Sequence, residues 1–148
     1  MDRIRPTLNQ LNIVSSNPEA SIAFYRRLGL DIPDRNVWRT ATGVHHVSAE
    51  GAGIDFDLDS TAFAQLWNSG WRGRKDLGGR VVVGLRVVSR EEVDRLYGEM
   101  TAAGHLGLQE PYDAFWCARY AVVEDPDGVA VGLMSPISAE HRSPPPEV

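Results

Sequence analysis

Three aspartates at alternate positions, Asp55, Asp57 and Asp59, form the stretch of this 148-residue sequence most able to do chemistry. Successive side chains of a strand point to opposite faces, so if Ile54, Phe56 and Leu58 face a core, the three carboxylates share the other face. Like charges in one row repel, so the pattern asks for compensation by Arg86 or by a cationic ligand, unless the face is simply solvated. Gln10 and Asn12 alternate with Leu11 and Ile13, which predicts two amides on the non-core face of an earlier strand. His45 and His46 are neighbours, so at most one of them reaches the same side of a strand. Such a histidine is an ordinary residue unless something draws it into use, and His46 is the candidate. Trp38, Trp67, Trp71 and Trp116 offer flat ring faces to planar aromatic or cationic molecules, although each could equally cap a sheet edge. Other chemistries lack their residues. No glycine-rich phosphate loop with its lysine is present, and no G-x-S-x-G elbow. Cys117 has no evident base beside it and reads as a small buried hydrophobe.

The elements that must hold these residues follow from periodicity and turn chemistry. Residues 7–15 read as a strand, and Asn17, Pro18 and Glu19 as a helix start. Ile22, Tyr25 and Leu28 share one helical face, and Gly29 ends it. Short strands are predicted at 36–41, 44–48 and 53–59. After a connector over 60–79, in which Thr61–Trp67 has room for a short helix, the order begins again. Residues 81–88 read as a β-branched strand. Ser89 and Glu92 form a capping box, Val88 and Val93 occupy the positions of a hydrophobic staple, and Val93, Leu96, Tyr97 and Met100 make a helical stripe ended by Gly104. Strands at 106–113, 116–124 and 128–134 complete the second unit. The last two are joined by Asp125-Pro126-Asp127-Gly128, a tight-turn sequence whose glycine matches Gly53 in the first unit.

Two stretches, Asn9–Leu30 and Arg119–Met134 with its Asp-Pro-Asp-Gly turn, resemble the vicinal oxygen chelate superfamily of glyoxalases, extradiol dioxygenases and bleomycin-resistance proteins. The resemblance implies an α+β fold in which two tandem β-α-β-β-β units, 7–59 and 80–134, form a cupped mixed sheet around a cavity, with helices outside. One domain is expected over 1–136, followed by an unstructured tail over 137–148. Catalytic members of that superfamily hold a divalent metal on four cavity side chains. Matched one at a time, those positions fall on Gln10, on or near Asp57, near Val82 and on Gly132. Val82 and Gly132 offer no donor, so no metal and no other cofactor is expected.

Composition bounds the partners. A net charge of −5 argues against nucleic acid, and no apolar run approaches the length of a membrane span. One cysteine and a start without an apolar leader predict a cytoplasmic protein. The expected function is metal-independent binding of a small aromatic or cationic organic molecule, of the resistance or sequestration kind, by Gln10, Asn12, Trp38, His46, Asp55, Asp57, Trp67, Trp71, Arg86 and Trp116. The alternative is an enzyme with a remodelled metal site, or one using Asp57 or His46 as an acid–base group. A homodimer is expected, because sheet edges need covering.

Overall fold

The computed structural model describes residues 8, 10–51, 53–69, 72–75, 81–145 and 147; Trp71 and Arg80, which the sequence expectations include, lie outside them. By its internal contacts the chain divides into Met1–Arg74 and Lys75–Val148, and each half is a β-α-β-β-β unit. The fold class is α+β.

In the first unit, β1 (Gln10–Ser15), α1 (Pro18–Arg27), β2 (Val37–Thr40), β3 (Gly43–Ser48) and β4 (Asp55–Ser60) are followed by α2 (Thr61–Trp67). The sheet order is β1-β4-β3-β2, with β1 parallel to β4 and the other pairs antiparallel. α1 starts where its sequence says it should. The Asn17 side chain accepts from the Ala20 N–H at 3.2 Å, Pro18 opens the helix, and Gly29 follows it at φ +103°. Ile22, Phe24, Tyr25 and Leu28 are buried on the sheet, and the Tyr25 ring meets Phe56 of β4 edge-on at 5.0 Å. Burying side chains of this size stabilises by about 1.5–3 kcal/mol each. Phe56 and Leu58 therefore take the helix side of β4, which leaves the intervening aspartates on the opposite side.

The second unit repeats the plan with β5 (Val82–Arg86), α3 (Arg90–Ala102), β6 (Gly107–Ala114), β7 (Ala118–Glu124) and β8 (Ala130–Met134), in the order β5-β8-β7-β6. The turn between β7 and β8 is built on Asp125, whose carboxylate accepts from the N–H groups of Asp127 at 2.8 Å and Val129 at 2.9 Å while Gly128 adopts φ +85°.

Three local expectations change. Ser89 caps α3, accepting from the Glu92 N–H at 3.1 Å, but the Glu92 carboxylate turns to Arg95 one turn on, so only half of the capping box forms. Val88 stands 84 % exposed, so it staples nothing. Trp116 lies in a turn, not at the head of β7. Cys117 closes that turn at φ +75°, with its N–H on the Ala114 carbonyl at 3.0 Å. The connector also carries structure. Ser60, the last residue of β4, accepts from the Phe63 N–H at 3.0 Å and so nucleates α2 directly against the sheet. Beyond β8, Ala139–His141 form a short 3-10 turn.

Candidate functional site

The site is assembled on β1, β4 and β3 of the first unit. β1 runs beside β4 with Gln10 opposite Asp55 and Asn12 opposite Asp57. Each amide leans along the strands to the next carboxylate. Gln10 donates through Nε2 to Asp57 at 2.6 Å, and Asn12 donates through Nδ2 to Asp59 at 2.7 Å. A carboxylate only accepts, so the amide nitrogens must face it. On the other side of β4, His46 of β3 pairs with Asp59, and its Nδ1 lies 2.5 Å from the Asp59 carboxylate. Asp57 is 8 % and Asp59 2 % exposed, so these carboxylates are compensated by two amides and an imidazole from their own sheet. Asp55 is exposed at the start of the strand.

Gln10, Asn12, His46, Asp59, Phe63 and Trp67 line a cavity of about 430 Å³. His46 also borders a second cavity of about 410 Å³, lined by Arg35, Asn36, Val37, Trp38 and Ser48. The Trp38 ring meets Phe63 edge-on at 5.4 Å and stacks obliquely on His45 at 5.5 Å. His45 itself is held by Thr42 Oγ1 at 2.6 Å and by the α2 cap Ser60 at 2.8 Å. The structure thus brings together Gln10, Asn12, His46, Asp57 and Trp67, with Trp38 one ring away. Phe63 is the cavity-lining side chain that sequence reasoning missed. Its spacing of four residues from Trp67, directly behind a capping serine, puts both rings on one face of a helix.

Arg86 and Trp116 belong to the second unit. Arg86 is exposed at the end of β5, while Trp116 sits edge-on to Phe115, Tyr112 and Tyr120 at 5.3, 6.2 and 5.4 Å. Two glycines of this unit behave differently. A Cβ on Gly84 would meet nothing within 4 Å, whereas one on Gly132 would lie 2.5 Å from the Tyr120 hydroxyl oxygen. Gly132 therefore opens no space, because Tyr120 fills it. Burial, and secondarily the Tyr112 charge, push the Tyr120 phenol above its ordinary pKa.

The repeated unit, the parallel β1–β4 and β5–β8 pairings and the amide–carboxylate row agree with a sequence-level match over residues 7–133 to the family described as Glyoxalase/Bleomycin resistance protein/Dioxygenase superfamily. The chain belongs to that superfamily. Its fold is similar to a glyoxalase/bleomycin resistance protein/dioxygenase from Nocardioides, at 23 % identity and TM-score 0.70, covering 99 % of this chain and 92 % of that one. A family enzyme from Burkholderia phytofirmans PsJN gives TM-score 0.73 at 19 % identity, covering 88 % of this chain and 98 % of that one. A lactoylglutathione lyase from Agrobacterium tumefaciens gives 0.61 at 14 % identity, covering 90 % and 96 %. No curated protein matches.

The residues at the superfamily's metal positions do not fit a metal. Gln10 turns its nitrogen to Asp57, closing the two would-be ligands on each other at 2.6 Å, and a metal would need the amide oxygen instead. Val82 and Gly132 carry no side-chain donor, and among the described residues no group of three or more His, Cys, Asp or Glu is placed to hold an ion. No helix among the described residues is long and apolar enough to cross a membrane.

Proposed function

We propose that the first unit binds a small, uncharged aromatic molecule without a metal, as a sequestration-type member of the superfamily. The observation that carries the reading is the cavity of about 430 Å³, with polar Gln10, Asn12, His46 and Asp59 beside aromatic Phe63 and Trp67. Aromatic walls supply apolar area and edge or face contacts, while a few fixed polar groups set orientation. The same geometry changes the expected ranking of ligand charge. Asp57 and Asp59 are already held by hydrogen-bond donors, so a cation finds less unpaired negative charge than the sequence pattern suggests. An anion still meets the buried Asp59 carboxylate and is disfavoured. The order expected is neutral, then cationic, then anionic.

Titration calorimetry with matched naphthalenes bearing a hydroxymethyl, an ammonium or a carboxylate group tests this, in buffer with and without a chelator. The neutral compound should bind tightest and be indifferent to chelator, and Trp67→Ala should weaken it about tenfold, or ~1.4 kcal/mol. Tightest binding by the carboxylate, or loss of binding on chelation, would overturn the reading.

A further inference from the structure

We infer that the first unit takes a two-part ligand, an aromatic glycoside, whose ring system fills the cavity walled by Phe63 and Trp67 while its sugar fills the second cavity on the far side of His46. The inference rests on the binding reading above and names the ligand class. Its basis is the placing of two cavities on one sheet. The first takes its walls from β1, β4, β3 and α2, the second from β3, β2 and the turn before β2, and His46 belongs to both. Asp59, His46 and Trp38 are Cα partners across β4, β3 and β2, so their side chains form one row on one face. Trp38 meets Phe63 edge-on at 5.4 Å, which joins the aromatic walls of the two cavities. The His46 side chain between them is 34 % exposed, so a ligand can pass over its ring. Neighbouring strands lie about 4.8 Å apart, so the sheet from β1 to β2 spans about 14 Å, the length of a fused aromatic joined to a hexose.

The second cavity is polar without being strongly charged. Its volume of about 410 Å³ falls within the roughly 300–1,000 Å³ of small-molecule sites. Arg35, the cation in its wall, pairs with Glu50 at 3.0 Å, and hydrogen bonds from Asn36 and then Arg35 hold the Glu50 carboxyl below its ordinary pKa. The Asn36 amide nitrogen donates to the Ser48 carbonyl and to Glu50, each at 3.1 Å, so the amide is fixed and its oxygen serves as an acceptor. Ser48 both donates and accepts, and its 3.3 Å contact with His46 Nε2 is long enough to yield to a ligand hydroxyl. Trp38 stands 49 % exposed beside them. A pyranose matches this set. Each of its hydroxyls donates and accepts, and the C–H groups of one face suit the negative face of an indole ring.

Two other occupants of the second cavity are less well served. An anionic group would find the Arg35 charge already met by Glu50 and would lie near that carboxylate. A second aromatic ring would gain apolar contact only from Trp38 and Val37, while covering Arg35, Asn36 and Ser48 without pairing their polar atoms.

The test is titration calorimetry of the hydroxymethyl naphthalene used above and of its β-D-glucoside, with chelator present. The glucoside should bind about tenfold tighter than the parent alcohol. Trp67→Ala should weaken both alike, because both place the naphthalene in the first cavity. Ser48→Ala and Arg35→Met should each narrow the advantage of the glucoside by about three- to tenfold while leaving the parent alcohol's affinity as it was. Arg35 is 71 % exposed, and retained binding of the parent alcohol reports that each variant is folded. A glucoside that binds no tighter than its parent, or an advantage that neither substitution narrows, overturns the inference and leaves the binding reading standing. Absence of binding by both compounds overturns the binding reading and this inference with it.

Discussion

Tyr120 shows how one side chain settles what a patch of sheet can do. Its hydroxyl occupies the space above Gly132, and burial disfavours its charged form, so the folded chain holds the phenol proton more tightly than the unfolded chain does. For a group whose folded pKa is raised, the stabilisation is complete below the unfolded value, about pH 10, and is lost as pH rises through the folded value. Denaturant unfolding should therefore show stability falling as pH is taken above about 10, and Tyr120→Phe should flatten that part of the curve. An unchanged alkaline limb in Tyr120→Phe would assign the loss to other groups. At this scale the sequence shows which faces side chains share but not which partner each one takes. Alternation places Asp57 and Asp59 opposite Phe56 and Leu58 without any structure. It cannot show that Asn12, registered with Asp57, reaches instead to Asp59, because that lean depends on two strands separated by 47 residues in sequence.

Elements differ in how much of themselves is local. α1 and α3 are written in their own residues: a capping side chain, an apolar stripe and a terminal glycine each lie within the segment they shape. α2 is equally local, since Ser60 both ends β4 and caps the helix, yet its seven residues fall below the length at which periodicity is informative. The glycines of β5 and β8 are the opposite case. Gly84 and Gly132 are Cα partners in adjacent strands, and only their surroundings separate them. Gly84→Ala adds a methyl into open space and should change stability by no more than about 0.5 kcal/mol. Gly132→Ala forces its methyl against the Tyr120 ring, whose nearest carbons stand 3.0 Å away, and should destabilise by about 1–3 kcal/mol. Thermal and denaturant unfolding of the pair checks this. Equal effects would mean that Tyr120 swings aside at little cost.

On the scale of the whole molecule, the superfamily's plan is retained in each unit, while two of the positions matched to its metal ligands, Val82 and Gly132, have no side-chain donor. Fold and metal site separate because they rest on different residues. The fold depends on buried apolar rows such as Leu58, Val83, Val131 and Leu133, whereas the metal would depend on donors at Val82 and Gly132. Each four-stranded sheet as described ends in strands with one unpaired side, β2 and β6 among them. Unpaired N–H and C=O groups along a strand invite pairing with another chain unless they are covered or interrupted. β2 is short and β6 carries Pro111 and two register shifts, so neither edge offers a long, regular ladder. The exposed apolar side chains Leu66, Val88, Leu106 and Ile137 are a further reason to expect an interface built on side chains. We therefore expect the chain to pair with a second copy through side-chain packing, with modest affinity and a closed two-fold arrangement. Sedimentation at micromolar concentration should show a species of twice 16.3 kDa that dissociates on dilution, and Leu66→Lys or Val88→Lys should shift it towards the monomer while leaving the unfolding midpoint of the dilute chain unchanged. Sedimentation giving only the 16.3 kDa species across that range would reject the dimer. Dimerisation untouched by both substitutions would move the interface onto the strand edges, where Pro111→Val, by restoring a backbone donor to β6, should then tighten it.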